Sequence, residues 1–553
     1  MLVVDCQASG ASPTHGDLLE LGWAVTGAEA FAVPTQAHWI VPATDRPVSR
    51  PVRQLTGWTD ACLADSIEAS DAWSRLQTAA ARASRPRARI PTVIHFARFE
   101  LAFLRDLHAK MRAGETAHDE ELPFDAVCLH AIAQRLFPDL PRKNLRAVAG
   151  HLGFSPELVR RSAGHVDASA FIWRAVLPAL ESEGVTTWEE LKTWLEGRAP
   201  ASARTRTGKK KLGYPMPAER RLALPDAPGV YRFLRPNGDV LYVGKAASLK
   251  KRVASHFSAG VRATDRALEM LSQAHDIRVT QTESILEAAL LETDEIKRID
   301  PPYNVQLRVG DRHAWFASSD WRTAAPVPDA VHRVGPLPSR RALAPLGAVR
   351  AMLERDGYDD DENLRAASVG VPRRFAPEAG LFREAWRDFV GAHLAGEGSA
   401  VARLLRASLR IVPEDGPEQE EDDEPSWGRE WDVARVRRHL DRSVHGGGVL
   451  VRRAHALALL SHSRITFVEP RTKAPRLLVV KGCEVIEQRA VVDLDPPRPG
   501  DDERTPSRRA RQACFDAVRY DRLRVLATEL RRIVEQGGEV RVRIGAHVAR
   551  VAR

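Results

Sequence analysis

The sequence predicts an α/β multidomain protein, and three observations carry that prediction. At 553 residues the chain is too long for a single hydrophobic core and long enough for three or four domains. Short apolar runs bounded by Gly, Asp, Asn or Pro alternate with stretches of helical period over its first half, as in α/β chains. Two composition breaks, a basic tract at 204–211 ("RTRTGKKK") and an acidic block at 414–424 ("EDGPEQEEDDE"), hold too few apolar side chains to pack and therefore divide the chain. The expected spans are 1–182, an α/β domain; 183–217, a helix and basic linker; 218–308, a small α/β domain; 309–410, a mainly helical extension; 411–430, an acidic disordered linker; and 431–553, a mixed α+β region.

Composition narrows the function classes. A net charge of +9 and a pI near 9.5 favour a polyanionic partner such as DNA. Five scattered cysteines with no Cys-x-x-Cys pair argue against a structural zinc site and against a disulfide framework, so a reducing cytoplasm is expected. The chain opens directly on a strand-like run, with no basic apolar leader and no long apolar span, so neither secretion nor membrane insertion is expected.

In chain order, "LVVD" at 2–5, "LLELGWAV" at 18–25 and "VIHF" at 93–96 read as strands, with helical runs between and after them. The first strand ends in Asp5. An acid there is either a metal ligand or the cap of the following turn. The words "VVDCQASG…LLELGWAV", "HFARFELAFL", "FDAVCLHAIAQRLFPDL…LRAVAGHLGF" and "AGHVDASAFIW" together resemble the DEDD family of 3′–5′ exonucleases, such as the proofreading subunit of DNA polymerase III. That resemblance implies an RNase H-like α/β domain, with Asp5, Gln7, Glu100, His165 and Asp167 at the exonuclease positions. It also shows departures. Gln7 stands where the family has Glu, and an amide brings no negative charge to a two-metal site. Glu100 replaces an Asp, and His165 and Asp167 are only two residues apart, so Asp167 either serves through a shifted loop or that ligand is missing. Exonuclease activity is expected to be impaired or absent, the domain being retained as a scaffold or for DNA binding.

After a short helical piece ("TTWEELKTWLEG"), Lys209, Lys210 and Lys211 in the basic linker are candidate phosphate contacts, a solubilising linker being the alternative. Then come "GVYRFL" at 229–234 and "DVLYVG" at 239–244, joined by Arg235-Pro236-Asn237-Gly238. An Asn-Gly turn between two β-rich runs predicts a hairpin. Ser248 is a suitable N-cap for the basic helix that follows, in which Arg252 and His256 are one turn apart on one face. Lys250 and Lys251 on that helix are further DNA-binding candidates, a solvated helix face being the alternative. In the next helix, 285–296, Ile285, Ala288, Ala289 and Ile296 share an apolar stripe opposite Glu287 and Asp294. Glu292 falls within the stripe, and an inward carboxylate demands a cation partner. Prolines at 301 and 302 end the segment. Tyrosines, cations and an inward acid are the parts that phosphodiester hydrolysis needs: a proton acceptor, phosphate ligands and a metal anchor.

The order Gly229-Val230-Tyr231, Tyr242-Val243-Gly244-Lys245, Arg252, Glu292 and Asn304 resembles the GIY-YIG endonuclease family and, within it, the N-terminal nuclease domain of UvrC-type excision-repair proteins. The resemblance implies that Glu292 holds one Mg²⁺ or Mn²⁺ and that Arg252 contacts the scissile phosphate. It further implies that Tyr231 accepts the proton of the attacking water, with Tyr242 and Lys245 completing the site and Asn304 behind it. His256 stands where many members have another tyrosine. The partners implied are DNA and a damage-loading UvrB-like protein.

Beyond Asn304, "VQLRVGDRHAWFASSDW" to "RVGPLPSRRALAPL" continues the UvrC-like pattern, and amphipathic helical runs near 380–394 and 399–409 follow. The last region predicts helices at 433–440 and 448–460 around a Gly446-Gly447-Gly448 loop, strands "RITFVEP" and "RLLVVKGCEVIEQRAVV", a helix at 519–537 and a terminal strand "EVRVRIG". No second nuclease region, no helix-hairpin-helix pair and no helical segment resembling the motif that binds a damage-loading partner are evident. The resulting expectation is a metal-dependent DNA repair endonuclease. A 3′–5′ exonuclease and a non-catalytic DNA-binding protein are the alternatives.

Overall fold

The computed structural model describes residues 1–553 except 28, 84–88, 113–120, 156–159, 198–211, 259–263, 306–313, 356–360, 397–398, 409–429, 471–472, 499, 501–505 and 552–553. The basic tract with Lys209, Lys210 and Lys211, and the whole of the acidic block at 414–424, therefore lie outside the described residues. The chain divides into two compact units, one of residues 1–282 and 301–305, the other of residues 283–300 and 306–553. No helix among the described residues is long and apolar enough to cross a membrane.

The first unit holds two sheets. Strands β1 (Leu2–Ala8), β2 (Leu18–Thr26), β3 (Phe31–Trp39), β4 (Ile90–Ile94) and β5 (Phe124–Cys128) form a sheet ordered β3-β2-β1-β4-β5. β1 pairs antiparallel with β2 and parallel with β4, and β4 pairs parallel with β5. A central strand covered on both faces has to be apolar throughout, which is why "LVV" needs no polar alternation. Leu2 and Val4 pack on one face with Trp73, Leu76, Phe103 and Leu104, while Val3 packs on the other with Val166, Ile172 and Trp173 of helix Ser162–Ser182. Asp5 shares Val3's side by the two-residue period of the strand. The topology is RNase H-like. β3 and β5 are additions to the sequence reading; β3 is a largely exposed edge strand that carries Pro34, a residue only an edge tolerates.

The second sheet is ordered β7-β6-β8, from β6 (Gly229–Leu234), β7 (Val240–Ala246) and β8 (Asp276–Gln281), all antiparallel. The hairpin predicted from Asn237-Gly238 is present, and Gly238 takes φ 90°, a conformation few other residues adopt. Ser248 Oγ accepts from Lys251 N at the start of helix Leu249–Ser258 (3.2 Å), as its side chain predicts. Tyr231, Phe233, Leu241, Val253, Phe257 and Leu271 make the core. This small domain docks on the larger one within the same unit. His151 Nδ1 and His275 Nε2 are 3.0 Å apart, Asn237 Nδ2 donates to Ser155 Oγ at 2.7 Å, and Asn144 Nδ2 donates to Glu269 Oε2 at 2.6 Å.

In the second unit, helix Ile285–Ile299 starts at Ser284, whose Oγ accepts from Glu287 N (3.1 Å), and ends at Asp300 in the left-handed region (φ 47°). It packs along helix Ala517–Glu535, with Arg522 on Asp294 (2.6 Å) and buried Lys297 on Asp521 (2.5 Å). Strands β9 (Trp315–Ser318), β10 (Ala324–Ala325) and β11 (His332–Leu337) form a sheet ordered β10-β9-β11. A five-stranded antiparallel sheet, β14-β13-β12-β15-β16, uses β12 (Ser463–Val468), β13 (Arg476–Lys481), β14 (Glu484–Ala490), β15 (Glu539–Ile544) and β16 (His547–Arg550).

Two expectations need correction here. The glycine triplet is not a loop: helix Val433–Leu460 runs through it, because a side chain at Gly448 would collide with the Ser408 carbonyl and one at Gly447 with Leu346. The glycines permit close packing of helices, and His445 is a helical residue. Cysteines 483 and 514, 31 residues apart in sequence, form one disulfide, a pairing that the scattered spacing and the expectation of no disulfide framework did not anticipate. Cys6, Cys62 and Cys128 are free.

Candidate active sites

The hairpin and the basic helix gather the GIY-YIG residues of the first unit around Gly244. Tyr231 on β6 is fully buried, and Tyr242 on β7 is half-buried with its ring centroid 6.0 Å from that of Tyr231. A Cβ built on Gly244 would lie 2.6 Å from the Tyr231 hydroxyl and 2.7 Å from the Tyr242 ring. The motif's second glycine is therefore the floor on which both rings converge. The Tyr231 hydroxyl lies 2.7 Å from His256 Nε2. Burial, with the nearby Arg252 guanidinium, holds the His256 pKa down to about 4, so the imidazole is neutral at physiological pH. A neutral ring can accept the tyrosine proton at Nε2. Lys245 is half-buried on β7, and Arg252 is exposed one turn before His256.

Asn304 sits behind these groups. Its buried Oδ1 accepts from Val243 N (3.0 Å) and its Nδ2 donates to Val243 O (2.9 Å). Both peptide groups of the residue between Tyr242 and Gly244 are thus fixed by one side chain, which makes Asn304 a positioning residue. Tyr303, next in line, donates to Glu269 and accepts from Gln273, each at 2.5 Å. This support was missed in sequence, although Tyr303 lies inside the quoted word "PPYNVQLR".

Glu292 is half-buried on helix Ile285–Ile299, in the second unit, where Ala288, Ala289 and Ile296 are buried. A single carboxylate on a rigid helix fits an ion such as Mg²⁺, which keeps most of its water ligands and takes few from protein. Among the described residues, no group of three or more His, Cys, Asp and Glu is arranged to hold a metal, so a closed all-protein cage is not the alternative. Of the lysine candidates, Lys250 and Lys251 are exposed, with Lys251 3.6 Å from Asp226.

The exonuclease-like cluster is assembled differently. Asp5, Gln7 and Glu100 are buried together at the end of β1, and Glu100 accepts from Cys6 N (3.0 Å). Burial, then the charge of Asp5, raise the Glu100 pKa well above the carboxylate range. His165 Nδ1 is 3.1 Å from Asp5 Oδ1. Asp167, by contrast, accepts a hydrogen bond from Thr35 on β3, and Gln7 donates to the Arg160 carbonyl. Two residues along a helix turn about 200°, so His165 and Asp167 cannot face the same side. The geometry answers the question left open by spacing: the helix places His165, not Asp167, at Asp5. Fully buried Glu20 sets this orientation by accepting from Ser162 N (2.9 Å) and Arg161 Nε (2.6 Å) at the helix start. Neither Glu20 nor His95, buried beside His130, was singled out in sequence, although they lie inside the quoted words "LLELGWAV" and "HFARFELAFL". With Gln7 uncharged and Asp167 turned to Thr35, two of the expected ligand positions bring no carboxylate to the site, and the residues that remain fit a pair of divalent cations poorly.

Comparison with known proteins agrees with the geometry of the small domain. The family model described as the UvrC-like GIY-YIG domain matches residues 227–305. UvrABC system protein C of Alkalilimnicola ehrlichii is 34% identical over 210 residues, covering 35% of this chain and 34% of that protein. The same protein of Psychrobacter sp. is 50% identical over 99 residues, covering 18% and 16%. A Mycobacterium tuberculosis protein described as a bifunctional exonuclease/endonuclease is 30% identical over 267 residues, 47% of this chain and 38% of its own length. The matched segments thus span only 16% to 38% of the length of these relatives. The GIY-YIG N-terminal endonuclease domain of UvrC from Thermotoga maritima, solved with magnesium, shares 31% identity over 16% of this chain and 93% of that one, with a TM-score of 0.15. Escherichia coli exonuclease I with a dA16 oligonucleotide shares 13% identity over 42% of this chain and 47% of that one, with a TM-score of 0.29. Residues 227–305 of this chain are a UvrC-like GIY-YIG domain, fused to an exonuclease-like α/β domain.

Proposed function

We propose that this protein is a DNA endonuclease of the excision-repair type, which nicks one strand by hydrolysing a phosphodiester at its GIY-YIG domain. The observation that carries this reading is the convergence of Tyr231 and Tyr242 on Gly244, with Tyr231 hydrogen-bonded to a neutral His256. A buried tyrosine with a proton acceptor behind it is arranged for proton transfer, which simple packing would not require. In the reaction, Tyr231 takes the proton of the attacking water while its own proton passes to His256 Nε2. Arg252 and Lys245 neutralise the phosphate oxygens as negative charge builds in the transition state. Glu292 would hold one Mg²⁺ or Mn²⁺, which would supply Lewis-acid chemistry to the phosphodiester. Asn304 keeps Tyr242 and Gly244 in register. The protein acts in the cytoplasm with DNA and a UvrB-like loading partner.

Supercoiled plasmid in Mg²⁺ tests the reading. Wild-type protein should relax it by nicking, and Glu292→Gln should abolish nicking while leaving plasmid binding within about twofold, since one neutralised carboxylate changes little of the basic surface. Near-normal nicking by Glu292→Gln would remove the assignment. A second reading, 3′–5′ exonuclease action, is favoured by the His165–Asp5 pair. It predicts stepwise shortening of an end-labelled oligonucleotide that Asp5→Ala abolishes and Glu292→Gln does not.

A further inference from the structure

Between the exonuclease-like domain and the GIY-YIG domain, within the first unit, lies an open groove of about 510 Å³. Arg142, Arg146 and Arg266 line its walls, with Lys143, whose Nζ donates to the Pro138 and Leu140 carbonyls (3.0 and 2.8 Å) and keeps one donor, against the two acids Asp265 and Glu269. Arg142 pairs with Asp265, and Arg146 is 3.5 Å from Glu269, so the acids hold two arginines in place without cancelling the positive charge. Arg266 spends one of its five donors on the Pro302 carbonyl (2.9 Å). Tyr303 lies between two guanidinium groups, Arg146 at 5.7 Å and Arg266 at 5.4 Å from its ring centre, which keeps both extended along the wall.

At the other end of the groove Phe96 is 45% exposed, although it follows a buried strand, and its ring stands 4.8 Å from that of His130. Phe96 packs edge-on against His95 (4.8 Å) and beside His130, which leaves nearly half of its surface open at the mouth of the groove. His130 is neutral, its pKa lowered chiefly by burial, and its Nδ1 is 2.7 Å from the Lys143 carbonyl, so it ties the aromatic end to the basic loop. Cations along one wall and aromatic rings at one end are what a single nucleic-acid strand needs: neutralisation of its phosphates and a face for an unpaired base.

We propose that this groove binds single-stranded DNA, its backbone on Arg142, Lys143, Arg146 and Arg266 and a base on Phe96 and His130. The inference rests on the reading of the protein as a DNA-acting enzyme and assigns to the seam between the two domains the task of holding an unpaired strand. The two ends of the groove adjoin the two chemical centres. His130 is 5.6 Å ring to ring from His95 in the exonuclease-like domain, and Arg266 contacts the Pro302-Tyr303 segment immediately before Asn304. The exonuclease-like domain thereby contributes to substrate recognition without performing chemistry.

The test is fluorescence anisotropy with a dye-labelled oligothymidylate of roughly ten nucleotides in EDTA, on the full-length protein, so that no cleavage intervenes. Phe96→Ala, an exposed position whose loss leaves the fold intact by circular dichroism, should weaken binding about 5–10-fold with little change in salt dependence. Arg266→Ala should weaken it about threefold or more and lower the log-log salt slope by roughly 0.7, the value for one single-strand phosphate contact. Wild-type affinity and slope in both variants would overturn the proposal. The plasmid assay is separate: oligonucleotide binding that depends on Phe96 and Arg266 in a protein that never nicks would keep the groove and remove the endonuclease reading. Nicking by a protein whose variants bind the oligonucleotide normally would do the reverse.

Discussion

The first unit carries two clusters that resemble nuclease centres, and they differ in where the charge is placed. Around Gly244 the buried groups are neutral: Tyr231, Tyr242 and an uncharged His256, with Lys245 and Arg252 nearer the solvent. Around Asp5 the buried groups are acids with a histidine, and burial and the charge of Asp5 push the Glu100 pKa upward. A neutral proton-relay pair is stable in a core without any ion, whereas clustered carboxylates are not. The exonuclease-like cluster has accommodated this by replacing one acid with Gln7, turning another, Asp167, to Thr35, and favouring protonated Glu100. The comparison teaches that a fold can be kept while the hydrogen-bond partners at its acidic positions change.

The predictions that bear on this contrast begin with the relay. Tyr231→Phe removes the proton acceptor and should lower nicking by roughly 10²–10³, the scale of losing one well-placed catalytic group. His256→Ala should cost nearly as much, and His256→Tyr should restore a large part of it, because a tyrosine hydroxyl can also accept from Tyr231. Plasmid-nicking rates compare the three variants. If His256→Ala nicks at the wild-type rate, the relay is not used. The pH profile is a companion test: with a His256 pKa near 4, no rate inflection attributable to this group should fall between about pH 5 and 8.

Asp5→Ala, on the other side of the comparison, should change nicking less than about twofold and leave oligonucleotide ends uncut in both proteins. Progressive shortening by the wild type that this variant lacks would show that the second centre works.

A smaller effect concerns the seam that joins the two domains. Burial, with His275 adjacent, holds His151 to a pKa of about 4, and His275 is also lowered. An unfolded histidine titrates near 6.5. Between those values the unfolded chain binds protons that the folded seam excludes, so stability is full above about pH 6.5 and falls as pH drops toward 4. His151→Gln should flatten that dependence, read as melting temperature against pH. An unchanged slope would mean that the pair does not control docking. Gly448→Ala, remote from both centres, should destabilise the second unit by about 1–3 kcal/mol, because the new methyl meets the Ser408 carbonyl. Chemical denaturation measures it.

Much of the first unit was legible in sequence because its signals are local. Asn237-Gly238 fixes a hairpin, Ser248 caps the helix that follows it, and a covered central strand has to read "LVV". The opposed directions of His165 and Asp167 were also legible in principle, since a spacing of two on a helix cannot bring both to one side. Other features depend on what lies across from a residue. β8 shows little period because most of it is partly exposed, and the Gly446-Gly447-Gly448 run reads as a loop until Leu346 and Ser408 are placed against it. The Cys483–Cys514 disulfide joins a hairpin turn to a helix end, a proximity no spacing encodes. Glu20, Tyr303 and the basic groove depend on tertiary placement in the same way.

A crystal of the protein soaked in Mn²⁺ addresses the central claim most directly, because anomalous scattering locates the ion without reference to activity. The account predicts one strong peak on the Glu292 carboxylate and none among Asp5, Gln7 and Glu100. Manganese bound at Asp5 with Glu292 bare would contradict it.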